Sequence, residues 1–228
     1  MTSTFNLIRE NWIPCVMPDG SVSELSLRDT LLGAHEIREV SDPSPLTTSS
    51  VHRLLLAVLY RIFAPQTMDD WLALWGLEGF ASSAIDDYLD RWEGRFDLLD
   101  DYHPFYQTSS FTGKSKDKAI NDIVPELTQG NTSTLFDHTM DDTCSPVSLS
   151  HAARILVTIQ TYKLGGLSGL GSNHRDGPGA RAISFYLLGD NLFRTLLLNL
   201  IPASSLEFPA TQEDRPVWEH DTPPTGGT

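Results

Sequence analysis

Cysteine is almost missing from this sequence, with Cys15 and Cys144 the two thiols in 228 residues. They lie far apart and form no metal-binding cluster, so unpaired buried thiols in a reducing compartment are expected. Long hydrophobic runs are missing too, and no stretch approaches the length of a membrane span. The start MTSTFNLIREN has neither the apolar run nor the small-residue cleavage pattern of a signal peptide. A soluble cytoplasmic protein without membrane contact is the expectation. Positive charge is scarce: 16 Lys and Arg stand against 30 Asp and Glu, a formal charge of −14. A field of that sign opposes indiscriminate binding to nucleic acid or anionic membrane, though it leaves room for a local basic site inside a larger complex. Internal repeats are absent. The GKS at Gly113–Ser115 lacks the glycine loop and the strand–loop–helix frame of a phosphate-binding motif, which argues against nucleotide hydrolysis.

What is present suits a globular chain, 40% apolar and 20% charged, long enough for one large domain or two small ones. Phe5 to Met17 reads as one or two short strands, with Pro14 arguing for an edge or an irregular end. Pro18-Asp19-Gly20 is a turn signal and Ser21 to Leu25 a returning strand, which together give an N-terminal hairpin. Ser26 to Asp29 offers a capping box for a short helix through Leu32. After a Pro/Ser/Thr loop over residues 41–50, Val51 to Phe63 carries one wide apolar face, with Ser49 or Ser50 as cap and Pro65 as stop. His52 and Arg53 at its start read as exposed. Asp69 to Trp75 is a second short helix.

Ile85, Tyr88, Leu89, Trp92 and Phe96 recur at helical spacing, and Asp86, Asp87, Asp90 and Arg91 read as a solvated face. Those acids lack the companions that a metal site needs. Asp101 to Gln107 is aromatic and irregular. Lysines 114, 116 and 118 form the densest basic run. Within the polar stretch 121–147, Phe136 is either the buried anchor of a loop or a platform on which a base stacks, with His138 as a hydrogen-bonding partner. Ser148 to Lys163 is a firm helix, with Leu149, Ala152, Ile155, Leu156, Ile159 and Tyr162 along one side. Ala182 to Leu188 reads as a strand, Gly189 to Asn191 as turn and cap, and Leu192 to Leu200 as a third long helix.

Between those last elements lies the passage KLGGLSGLGSNHRDGPGAR, Lys163 to Arg181, with six glycines. It is longer than an ordinary connection. Two readings stand: a flexible surface loop, or backbone amides that hold a phosphate backbone together with Lys163, His174, Arg175 and Arg181. A hydrolase using His138, His151 or His174 is the reading from another class, and no nucleophile elbow supports it.

Taken together, the opening FNLIRENWIPC, the segment HPFYQ at His103 to Gln107, TSTLFDH, the helix SLSHAARILVTIQTYKLGG and FRTLLLNL at Phe193 to Leu200 resemble one family in order and approximate spacing. That family is the large subunit (CasA) of the type I-E CRISPR Cascade complex. Its members are about twice as long. The resemblance implies an α+β fold over residues 1–210, with short antiparallel strand elements, an N-terminal hairpin and several packed helices. Residues 211–228 would then be a polar linker or tail towards a C-terminal helical bundle.

By the same resemblance the chain is no enzyme and needs neither cofactor nor metal. It would work with other Cascade subunits, guide RNA, target double-stranded DNA and an effector helicase–nuclease. Phe136 and His138 match the loop that reaches the guide-RNA end, where the family pattern often has Phe-x-Asn, so His138 departs from it. Gly165, Gly166, Ser168 and Gly169 match a loop that approaches the minor groove of the protospacer-adjacent motif, with Lys163 and Arg175 as flanking cations. The alternative is a scaffold domain whose DNA recognition lies mainly elsewhere in the family's longer chain. The loops at 109–147 and 165–180 are expected to be mobile without partners.

Overall fold

The structure, a computed structural model, describes residues 4–108, 146–164, 176–207 and 214–221. Its first unit is the hairpin of β1 (Ile13–Val16) and β2 (Val22–Leu25), paired from Ile13 with Leu25 to Val16 with Val22. The turn closes because Asp19 Oδ1 accepts from Ser21 N at 2.9 Å and Gly20 takes φ +85°. Ser26 caps α1 (Leu27–Leu32) by accepting from Asp29 N. A two-residue strand, β3 (Glu39–Val40), pairs with Cys15 and Val16 from the other side, so the antiparallel order is β2-β1-β3. This places Pro14 in the central strand, contrary to the edge expectation. Its missing donor is tolerated because β3 pairs only beyond it, while its carbonyl accepts from Ser41 N at 3.0 Å.

α2 (Pro45–Ile62) is the spine of the helical layer. It starts six residues earlier than the apolar periodicity indicates. Ser44 is the cap, accepting from Thr47 N at 3.2 Å, and Pro45 fills the first turn, where no donor is needed. The chain leaves it through Ala64, at φ 34°, before Pro65. His52 is buried rather than exposed, 5% accessible, because its helix face lies in the core. Arg53 is exposed as expected.

α3 (Met68–Trp75) begins with a complete capping box of Thr67 and Asp70. α4 (Ser82–Trp92) buries Ile85 and Leu89, and its acids Asp86 and Asp90 both pair with Arg28 of α1 instead of facing only water. α5 (Leu149–Tyr162) is capped by Ser148 and lies along α2. Its buried face is rotated from the expected one: Ala153, Ile155, Val157, Thr158 and Thr161 are buried, whereas Leu149 is 37% exposed. Threonines can face the core here because Thr158 and Thr161 donate to carbonyls one turn back, and Thr158 meets Thr47 of α2 at 3.0 Å.

α6 (Leu192–Asn199), capped by Asn191, docks its first amides on the α1–β3 connection: Leu192 N donates to Ile37 O and Phe193 N to Ala34 O. These elements make an α+β fold. No strand forms over residues 182–188, where hydrogen bonds to Ser49 and Asn199 side chains take the place of a ladder. Residues 214–221 lie against the core. Trp218 is 3% exposed, and Glu219 accepts from Arg61 Nε at 2.8 Å and from Tyr88 Oη at 2.7 Å.

Candidate nucleic-acid interface

α5 ends at Tyr162, with Lys163 as its cap, and the described chain resumes at Asp176. The two limbs are tied by Gly177 N donating to Lys163 O and Gly179 N to Thr161 O, each at 2.8 Å. Both glycines are required by close approach. A Cβ on Gly177 would stand 2.5 Å from the Thr161 carbonyl, and one on Gly179 would stand 2.6 Å from the Tyr162 ring. Arg181 pairs with Asp176 inside the returning limb. The base of the glycine-bearing connection is therefore a fixed feature of the helix end.

A second base is built at HPFYQ. Phe105 is buried and stacks on Phe96 with centroids 5.0 Å apart, and Trp218 tilts against Phe96 at 5.1 Å. Tyr106 takes φ 56°, a left-handed conformation that costs a bulky residue about 1–3 kcal/mol. Three bonds hold the turn: Phe105 N to Asp97 O, Gln107 Nε2 to Leu98 O, and Gln160 Nε2 to Tyr106 O. Burial pushes the Tyr106 phenol up to about 12, so it stays protonated.

Gln160 sits in the last turn of α5, next to Thr161 and Lys163. The turn from which residues 109–145 depart and the limbs that frame residues 165–175 thus lie at the same end of one helix. Sequence spacing gives no hint of this, because residues 106 and 160 are brought together only by packing.

Of the candidate contact residues, Lys163 is described. It caps α5 with its backbone and is half-buried. Phe136, His138, Gly165, Gly166, Ser168, Gly169 and Arg175 lie outside the described residues, as do most of the loops expected to be mobile. Of the histidines weighed for hydrolysis, His151 is exposed on the first turn of α5, and His138 and His174 lie outside the described residues. Among the described residues no group of three His, Cys, Asp or Glu could hold a metal, and no helix is long and apolar enough to cross a membrane. A cavity of about 40 Å³ lies between HPFYQ and the Val217–Glu219 turn. It has room for water and not for a nucleotide. Burial raises the Cys15 thiol to about 11, leaving it unreactive.

The family model for CRISPR-associated protein Cse1 matches residues 6–227. The CRISPR-associated protein CasA/Cse1 of Thermus thermophilus is 40% identical over 219 residues, which is 94% of this chain and 42% of that protein. Thermobifida fusca Cse1 superposes with a TM-score of 0.80 at 30% identity, over 98% of this chain and 44% of that one. A chain of a CRISPR RNA-guided surveillance complex superposes at 0.82 and 22% identity, over 96% and 47%, a likeness of fold alone. The chain spans less than half the length of these relatives.

Proposed function

Because the chain belongs to the Cse1 family of CRISPR-associated proteins, we propose that it forms part of a non-catalytic subunit of an RNA-guided surveillance complex. Together with other subunits and guide RNA, that subunit helps recognise the protospacer-adjacent motif in duplex DNA. It also supports recruitment of the effector helicase–nuclease. The observation that carries this reading is the shared end of α5, where the base of the 165–175 connection and the departure point of 109–145 meet. One surface can then present two contacts. Phe136 and His138 reach the guide-RNA end, and Gly165, Gly166, Ser168 and Gly169 offer backbone amides to the minor groove, with Lys163 and Arg175 beside them. Glycine suits that task because a side chain would obstruct close approach.

The net charge of −14 favours a division of labour in which basic partners supply most of the affinity for DNA. It equally suits the alternative, a scaffold domain whose partner regions do the reading. The two are separated by measuring target binding of the reconstituted complex with and without the motif, in the parent and in Gly166→Asp and Phe136→Ala. Loss of motif-dependent binding in both variants, with assembly intact, is the expected result. Full binding in both would assign these residues to scaffold.

A further inference from the structure

Residues 182–188 carry a strand's alternation turned inside out. Ser184 and Tyr186 face the protein: Ser184 Oγ lies 3.4 Å from Tyr162 Oη of α5, and Tyr186 Oη donates to the Ser49 carbonyl of α2 at 2.9 Å. Ile183, Phe185 and Leu187 face away, at 82%, 85% and 60% exposed, and Leu188 is 68% exposed. A half-buried strand turns its apolar residues to the core and its polar ones to water. Here the hydroxyl side meets the protein and the apolar side is bare.

The backbone is half used as well. The Leu187 carbonyl accepts from Asn199 Nδ2 at 2.8 Å and its N–H donates to Asn199 Oδ1 at 3.1 Å. Both groups therefore point to one edge, as they do in a ladder residue. Ser184, Tyr186 and Leu188 alternate with that position and present theirs to the other edge. Among the described residues no hydrogen bond reaches the backbone N–H or C=O of these three.

We propose that residues 183–188 are an open strand, completed by an extended apolar segment from the part of the family's longer chain that has no counterpart here. Its ladder forms on the edge of Ser184, Tyr186 and Leu188. Its apolar side chains pair with Ile183, Phe185 and Leu187 across the strands, and the same part of the chain covers that face. Two observations select this occupant. More than half of each relative's length lies outside the match, since this chain covers 42% of the Thermus protein and 44% of the Thermobifida one. The four bare side chains amount to roughly 500 Å², at ~150–200 Å² for each when fully exposed. That is a marked apolar patch, yet less than the ~800 Å² that each partner buries in a standard interface. A segment tethered in the same polypeptide does not need that area, because the tether supplies a high effective concentration. The open strand concerns how the subunit is completed, and it holds or fails independently of the nucleic-acid role.

The test sets this chain alone against a chimaera in which it replaces its matched region of Thermus thermophilus CasA/Cse1. Amide exchange at Ser184, Tyr186 and Leu188 should be fast in the chain alone at every protein concentration. In the chimaera it should slow about a hundredfold, the effect of two net hydrogen bonds. Phe185→Asp should leave thermal unfolding of the chain alone unchanged, because the ring meets water there. In the chimaera the same substitution should abolish the protection or prevent folding. Should the parental chimaera not fold, residues 182–188 alone are grafted into the full-length Thermus protein, in place of the segment that superposes on them, and the same amides are read. Fast exchange in the folded chimaera or graft would overturn the proposal. Protection that survives Phe185→Asp would overturn it too, since no apolar cover would then be at work. Protection that rises with concentration in the chain alone would assign the edge to a second copy instead.

Discussion

Glu219 shows how much a single residue can hold in this chain. Its carboxylate is almost fully buried, takes two hydrogen bonds from Arg61 and one from Tyr88, and lies beside Trp218, whose indole donates to the same Tyr88 hydroxyl. Burial alone would raise its pKa, but the Arg61 and Tyr88 bonds outweigh burial and hold the carboxyl below its usual range. A depressed carboxyl stabilises the fold fully above its ordinary titration range, and that stabilisation is lost as pH falls through the lower folded value. Glu219→Gln should therefore lower stability at neutral pH and flatten its decline in acid, as read by thermal unfolding across pH. Glu219→Ala should cost about 2 kcal/mol, below the usual figure for a broken buried pair because Arg61 retains access to water. An unchanged acid limb in Glu219→Gln would contradict this.

The glycines divide by cause. Gly177→Ala meets the Thr161 carbonyl, which belongs to a helix end and cannot yield, and should destabilise by about 1–3 kcal/mol in a denaturant titration. Gly20→Ala has open space but a left-handed backbone, and should cost about 1 kcal/mol through conformation alone. Gly94→Ala meets nothing within 4 Å and should be close to neutral.

Among the elements, caps and turns were the parts most legible beforehand. The hairpin turn, the Ser26 and Asn191 caps and the helices near 69–75 and 192–200 follow from local chemistry, which acts over a few residues and is written in them. The start of α2 was hidden because its first turn, Pro45 to Ser50, carries polar residues that hydrogen-bond locally and break the apolar pattern. Ser44→Ala should expose that start and cost about 1 kcal/mol, checked by unfolding. Periodicity misplaces the face of α5 because hydropathy counts threonine as a surface residue, whereas Thr158 and Thr161 satisfy their hydroxyls within the helix. Residues 182–188 have strand composition but lack a partner strand, and no local signal supplies one. The two segments of the proposed interface are visible in the sequence as a glycine passage and an HPFYQ motif. That both sit at one end of α5 depends on the Gln160–Tyr106 contact across 54 residues, which no periodicity encodes.

At the scale of the whole molecule, charge governs the behaviour of the isolated chain. With −14 overall, the isolated chain should show weak binding to duplex DNA near ~0.15 M salt and a shallow salt dependence, since few phosphates are neutralised. A fluorescence titration at several salt concentrations checks this, and tight, steeply salt-dependent binding would place a strong basic surface on this chain itself.

We propose that residues 109–145 and 165–175, whose described flanks meet at the end of α5, serve one nucleic-acid-facing surface. Site-specific photo-crosslinking in the reconstituted complex tests it most directly, with the reactive group placed at position 136, at position 166, and at exposed Asp87 on α4 as the control. Crosslinks are expected from 136 to the guide RNA near its end, from 166 to target DNA at the motif, and none from 87. Crosslinks from 136 and 166 no more frequent than from 87 would contradict it.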